Sequence, residues 1–145
     1  MHSGKAQTVL GLIDPIHLGC TLPHEHIKMN YQSLYQTPKR DSDFSKIMMG
    51  PPTLEMLGWI RQNPYSHIFN LCLGEDPFED VVKELNFFKN AGGSTIVECT
   101  SIGLIQDIEY LKKVSMETWL HITAGTGFYE DGAVSGVLKN DSEKL

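Results

Sequence analysis

The chain has 145 residues, enough for one domain with a sizeable hydrophobic core. Its 41% hydrophobic and 21% charged residues are ordinary for a globular protein, and its net charge of −6 argues against a nucleic-acid-binding surface. No apolar stretch approaches the roughly 18 residues that span a bilayer, and the N-terminus lacks the apolar segment of a signal peptide. We therefore expect a cytosolic protein that binds neither nucleic acid nor membrane.

The three cysteines are expected to be reduced thiols. Cys20, Cys72 and Cys99 are an odd number at irregular spacing, with no C-x-x-C pair. That pattern gives no disulfide framework, and cytosolic cysteines are normally reduced.

Two extended runs open the chain. The first covers residues 7–13 and ends at Asp14-Pro15; the second ends at His24 and His26. We expect these two runs to pair as an N-terminal β flap. A long irregular stretch follows to residue 75, interrupted by a short helix over 53–62. A connection of that length after one strand is typical of a functional loop, and Tyr31 and Tyr35 in it are candidates for the mouth of a pocket.

Alternating helices and strands follow this loop. Asp76 is predicted to cap a helix with Pro77 at its first position and Glu79 closing a capping box. Its apolar stripe is Val81, Leu85 and Phe88, and glycines at 92–93 end it. A strand over 94–100, a helix over 107–117 and a strand over 120–124 complete the pattern. This alternation predicts parallel βαβ units with helices outside the sheet.

The number of strands leaves two interpretations open. A closed (β/α)₈ barrel needs eight strands, far more than this pattern supplies. The chain is therefore either a piece of a larger protein or a small α/β domain whose sheet edges are covered by the long loop. We favour the piece, because three parallel strands alone leave strand edges and apolar helix faces uncovered.

The histidine pair is the strongest chemical signal. His24 and His26 lie two residues apart on a predicted strand, so their side chains share a face, and Glu25 points the other way as an expected buried acceptor. Two neutral imidazoles can hold one divalent metal ion, although the same pattern also fits two polar residues at a strand end. Polar residues also follow the next strands, at 100–101 and 125–129. Because ligands bind at that edge of parallel sheets, the convergence favours a metal site. His67, in the loop, is expected to be solvated.

The ordered motifs resemble the phosphotriesterase family of the amidohydrolase superfamily. The resemblance rests on Leu-Gly at 10–11 and 18–19, Thr-Leu at 21–22, and His-Glu-His at 24–26. It continues through Lys-Asn-Ala-Gly-Gly at 89–93, Ile-Val-Glu at 96–98 and Gly-Thr-Gly-Phe-Tyr at 125–129. Residues 63–66 look closest to an animal subgroup. Three positions depart from the family pattern: Gln106 replaces an arginine, Trp119 replaces a turn glycine, and Cys99 replaces a polar residue.

The resemblance implies a fold and a metal centre. Residues 1–145 would be the N-terminal portion of a (β/α)₈ TIM barrel, an α/β fold. They would hold about the first three βα units, with an N-terminal β flap and a long loop after the first barrel strand. The family uses two divalent ions, usually zinc. His24 and His26 would bind the more buried ion, and the other ligands come from later strands. Tyr129 matches a tyrosine near the metals and would contact substrate.

The resemblance also implies a function. By this resemblance the chain is similar to a metal-dependent hydrolase. Such a hydrolase would act on small amides or esters, namely N-acyl amides such as N-acetyltaurine, lactones, or phosphotriesters. The alternative is a truncated, catalytically incomplete chain that acts only as a weak metal-binding or interaction fragment. Catalytic zinc sites use at least three protein ligands, so we expect the 145-residue chain alone to be inactive.

Overall fold

The structure is a computed structural model that describes residues 4–38, 50–73 and 77–129. Its strands are β1 Ala6–Thr8, β2 Gly11–Ile13, β3 Cys20–Glu25, β4 Met29–Asn30, β5 Cys72–Leu73, β6 Gly93–Glu98 and β7 His121–Ala124. Its α-helices are α1 Leu57–Gln62, α2 Phe78–Asn90 and α3 Ile108–Thr118. Across these three segments, every helix is too short or too polar to cross a membrane. The predicted Asp76 cap and the tail from residue 131 lie outside the described residues.

A parallel sheet of three strands forms the centre of the structure. Its order is β3-β6-β7, so β6 lies in the middle. Thr95 and Ile96 of β6 face Thr21 and Leu22 of β3, and β7 runs alongside β6 in regular register. The predicted parallel βαβ arrangement is therefore confirmed, with α2 leading into β6 and α3 connecting β6 to β7.

The hydrophobic core lies between this sheet and its helices. Fully buried side chains of the sheet and of α3 meet there: Ile96, Ile122, Leu111 and Val114. The predicted apolar stripe of α2 packs against them through half-buried side chains, namely Val81, Leu85 and Phe88. Burying apolar surface is the main favourable term in folding, so this layer holds the strands in place.

The N-terminal flap exists, but its two strands differ from those predicted. β1 pairs antiparallel with β2 inside the first extended run. Gly11, at φ +127°, lets the chain reverse within a run that reads as one strand. The second run is β3 of the central sheet. The flap contacts β7, where the Val9 amide donates a 2.8 Å hydrogen bond to the Ile122 carbonyl.

The long loop after β3 is folded back on itself. β4 and β5, at its two ends, pair antiparallel with Asn30 opposite Cys72. Inside the loop His67 is fully buried, so the prediction of a solvated side chain is wrong. Its Nδ1 accepts a 3.3 Å hydrogen bond from the Asn70 amide, and burial lowers the pKa of the imidazole. His67 is therefore held neutral as a structural part of the loop.

The two long helices begin and end close to the predicted residues. α2 starts one residue later than expected, with Pro77 as the flanking residue, and Gly92 at φ +95° follows its end. Asp107 caps α3 by accepting a 3.0 Å hydrogen bond from the Tyr110 amide. Trp119 ends α3 in the left-handed conformation, at φ +61°, with its side chain 82% exposed.

The backbone at Trp119 generates the first prediction. A side chain beyond Gly strains a left-handed position by about 1 kcal/mol or more, and the exposed indole gains little from packing. Trp119→Gly should therefore raise the free energy of unfolding by about 1 kcal/mol. Chemical denaturation of the two proteins measures the difference.

Trp119→Ala is the matched control for this substitution. Alanine removes the indole but keeps the Cβ atom, so it should leave the backbone strain and give a smaller gain. Equal gains from both substitutions would show that the indole, rather than the dihedral angle, destabilises this turn.

A second prediction follows from the open sheet. In the described segments β3 and β7 are the sheet edges, and β6 is paired on both sides. We expect the isolated chain to be only marginally stable, with amide hydrogen exchange slowest in β6 and faster in both edge strands. Equally slow exchange in all three strands would show that the chain is a self-sufficient domain.

Candidate functional site

The two predicted metal ligands lie side by side at the carboxyl end of β3. The rings of His24 and His26 have centroids 5.4 Å apart and planes inclined by 72°. The pairing of β3 with β6 shifts between Leu22 and Glu25, which places one extra residue on β3 in the stretch that holds Pro23 and His24. The rings are adjacent despite this bulge. His24 is exposed and His26 is half-buried.

A hydrogen-bonded chain behind His26 reaches a buried carboxylate. The Nδ1 atom of His26 lies 3.0 Å from the Thr100 hydroxyl, and that hydroxyl donates to the Glu98 carboxylate. Glu98 also accepts from two main-chain amides, from Ile27 at 3.2 Å and from Thr100 at 3.1 Å. The ends of β3 and β6 are thereby tied together through one side chain.

Opposing effects act on the ionisation of Glu98, which is 1% exposed. Burial raises the pKa of this carboxyl above its ordinary value. The hydrogen bonds from Thr100 and Ile27, and the nearby His26, act in the opposite direction and favour the charged form. Burial outweighs these opposing contacts, so the pKa of the Glu98 carboxyl is raised on balance.

Glu25 does not have its expected role as a buried acceptor. Its side chain is half-buried, and within the residues that the structure describes its carboxylate accepts no hydrogen bond. It lines a cavity of about 370 Å³, together with Leu22 of the same strand, His26, and Val81 and Leu85 of α2. The buried acceptor at this end of the sheet is Glu98 instead.

Two tyrosines extend the row of rings from His26. Tyr31 lies 6.3 Å from His26 between ring centroids, and Tyr129 lies 5.3 Å from Tyr31. The Tyr129 amide donates to the Ile102 carbonyl at 3.0 Å, which fixes the backbone after β7. Tyr129, predicted to contact substrate, is 48% exposed and therefore accessible at the edge of the site.

Gln106 links the carboxyl ends of β6 and β7. Its side-chain amide donates to the carbonyls of Thr100 and Gly125, both at 2.7 Å. Nearby, Lys28 pairs with Asp107 at 2.8 Å and lies 4.9 Å from the centre of the Tyr110 ring. These contacts hold the loops at this edge in one arrangement.

The histidine pair fits a divalent metal ion by its chemistry. Imidazole nitrogens are suitable zinc ligands, and two adjacent rings can reach one ion. The Thr100 contact occupies Nδ1 of His26 and leaves Nε2 available. Among residues 4–38, 50–73 and 77–129, no group of three or more His, Cys, Asp or Glu side chains is placed to hold a metal.

Glu98 was not among the site residues predicted from the sequence. A signal was available, because a glutamate in a strand of otherwise apolar residues needs partners when it is buried. Its hydrogen bond to Ile27 joins residues 71 positions apart, so that partner could not be assigned from local pattern.

Comparison with known proteins gives close relatives. The model of the phosphotriesterase family matches residues 4–142. A phosphotriesterase-related protein of Nematostella vectensis is 47% identical over 140 residues, which cover 97% of this chain and 40% of that protein. An N-acetyltaurine hydrolase of Xenopus tropicalis is 43% identical, and the match covers 95% of this chain and 39% of that enzyme. The chain thus spans about two fifths of the length of these relatives.

A solved structure supports the same assignment. A resiniferatoxin-binding protein from Rhodobacter sphaeroides superposes with a TM-score of 0.83 and 30% sequence identity, over 90% of this chain and 36% of that one. The predicted fold, an N-terminal portion of a TIM barrel, is confirmed by this match and by the three parallel strands. On its sequence and its structure, the chain belongs to the phosphotriesterase family.

Proposed function

We propose that His24 and His26 bind a divalent metal ion, zinc by its preference for imidazole, in a hydrolase that acts on small amides or esters. The observation that carries the proposal is the adjacency of the two rings, 5.4 Å apart at the carboxyl end of a parallel strand. N-acyl amides such as N-acetyltaurine are the favoured substrates, because relatives that are 43% and 44% identical to this chain are named N-acetyltaurine hydrolase. Lactones and phosphotriesters are the other classes.

The chemistry of this reaction is divided between the ion and the chain. A bound divalent ion lowers the pKa of a coordinated water molecule towards 7 and polarises the substrate oxygen. His24 and His26 would hold it, with Thr100 and Glu98 orienting His26 from behind. The family's further ligands come from later barrel strands, and we propose a second ion there.

Tyr129 is proposed to contact the substrate. The Tyr129 ring packs edge-on against the ring of Tyr31, which in turn packs edge-on against His26. These contacts hold the Tyr129 ring in place while its hydroxyl group stays accessible. A phenol in such a position can donate a hydrogen bond to a substrate oxygen. We propose that the substrate is a small molecule. We also propose the cytosol as the compartment of the protein.

The other candidate function is that of an incomplete chain. Two histidines are fewer than the three protein ligands of a catalytic zinc site, and the described residues supply no third. On this reading the 145-residue chain binds metal weakly or acts only through protein contacts. Complete hydrolysis then requires a protein with the remaining barrel strands of its relatives.

Replacing either histidine should abolish the reaction in a protein that carries the complete barrel. His24→Ala or His26→Ala opens the coordination sphere of the same ion, so both should lose bound metal and nearly all turnover. Metal content by mass spectrometry and amide hydrolysis are measured on the same samples. Full metal content and turnover in both variants would refute the proposed site.

Glu25→Gln is the matched control on the same strand. Glu25 is not a proposed ligand and glutamine keeps an acceptor of the same shape, so the substitution should keep the bound metal and cost at most modest activity. If Glu25→Gln lost the metal while His26→Ala kept it, the side chain of Glu25, and not that of His26, would be the one that points to the ion.

The isolated chain should bind zinc weakly and without defined stoichiometry, because two ligands leave the ion largely hydrated. Isothermal titration with zinc measures this directly. A tight site with one ion per chain would mean that a third ligand lies within these 145 residues.

A further inference from the structure

We infer that Thr100 is a positioning residue that fixes His26 in the tautomer with its proton on Nδ1 and leaves Nε2 free to bind. The tautomer follows from hydrogen-bond geometry with Glu98 ionised. Its consequence for metal binding rests on the proposed function.

The first step takes Glu98 in its ionised form, in which both carboxylate oxygens can only accept. Oε1 accepts from the Ile27 amide at 3.2 Å, and Oε2 accepts from the Thr100 amide at 3.1 Å. Main-chain amides cannot reverse their role, so both oxygens face donors. The Thr100 hydroxyl also contacts Oε1 and must therefore donate its proton to it.

The second step concerns the hydroxyl of Thr100, which has one proton. Because that proton points to Glu98, the Thr100 oxygen has only lone pairs left for other partners. The His26 Nδ1 atom lies 3.0 Å from this oxygen. A hydrogen bond at that distance forms only when Nδ1 carries the proton and donates it.

The third step concerns the other ring nitrogen. A neutral imidazole with its proton on Nδ1 has an unprotonated Nε2, which is the form that binds a metal ion. Ligating histidines usually donate their second nitrogen to a carboxylate or carbonyl in this way, and such partners affect metal affinity. Here the carboxylate acts through an intervening threonine hydroxyl.

His24 provides an internal comparison. Its ring is exposed, and within the described segments it makes no hydrogen bond to another side chain. Nothing there selects a tautomer, so His24 should show the mixture that a solvated imidazole adopts. The two histidines of the site are therefore expected to differ in tautomer before any metal is added.

The test is the ¹⁵N spectrum of the histidine rings in the full-length, metal-free protein, at about pH 8.5, where an ordinary histidine is neutral. His26 should show the shift of a protonated Nδ1 and an unprotonated Nε2. Thr100→Val, which keeps the shape but has no acceptor, should move His26 towards the solvent-favoured Nε2-protonated form. Thr100→Ser should restore the native signals. A native spectrum with His26 protonated on Nε2 would overturn the inference.

Thr95→Val is the matched control. Thr95 lies on β6, the strand that Thr100 follows, is 1% exposed like Thr100, and donates its hydroxyl to the Leu18 carbonyl near the start of β6. The variant loses one buried hydrogen bond but should leave the His26 signals unchanged. A shift in Thr95→Val equal to that in Thr100→Val would mean that the tautomer follows general loosening of the strand, which overturns the inference.

Zinc affinity separates this inference from the proposed function. If both hold, Thr100→Val should bind zinc about 10-fold or more weakly than the native protein, and Thr100→Ser should recover most of that loss. A native protein that binds no zinc while His26 shows the Nδ1 tautomer would refute the function and leave the inference standing. Tight zinc binding with the opposite tautomer would do the reverse.

Discussion

The buried carboxylate of Glu98 is the constraint on which the site depends. A charge in the protein interior is costly unless it is compensated by hydrogen bonds. Here the compensation comes from the ends of two strands, through the Ile27 amide after β3 and the amide and hydroxyl of Thr100 after β6. Satisfying the carboxylate therefore requires these strand ends to be in one arrangement, and that arrangement sets the position of His26.

Side-chain hydrogen bonds take over where the regular ladder becomes irregular. The bulge on β3 interrupts its pairing with β6 between Leu22 and Glu25. The pairing continues after the bulge, where the Cys99 amide donates a 2.8 Å hydrogen bond to the Glu25 carbonyl. On the other side, Gln106 joins the ends of β6 and β7. Gln106 replaces the family's arginine, and its neutral amide is sufficient to bridge two carbonyls. The carboxyl edge of the sheet is thus organised by polar side chains, as expected of an edge that carries a ligand site.

The features that could be predicted from the sequence are those set by local pattern. The period of α2 and α3 and the buried run of β6 follow from neighbouring residues, whereas the turn at Trp119 is indicated only by the resemblance to the family. The adjacency of His24 and His26 also follows from a spacing of two residues. The flap was placed incorrectly because Gly11 permits a reversal that the hydropathy pattern does not reveal. The burial of His67 was missed because no local pattern marks it, and the contact of Glu98 with Ile27 was missed because the two residues lie 71 positions apart.

The hydrogen bond between Val9 and Ile122 has a consequence for the order in which the structure can form during synthesis. Within the described chain the flap is synthesised before its partner strand β7. β3 likewise waits for β6, because parallel strands need an intervening crossover. β1 and β2 can pair with each other at once, but Val9 and β3 stay without these partners until β7 and β6 are made. An unpaired strand edge is prone to aggregate, so β3 carries that risk until β6 follows.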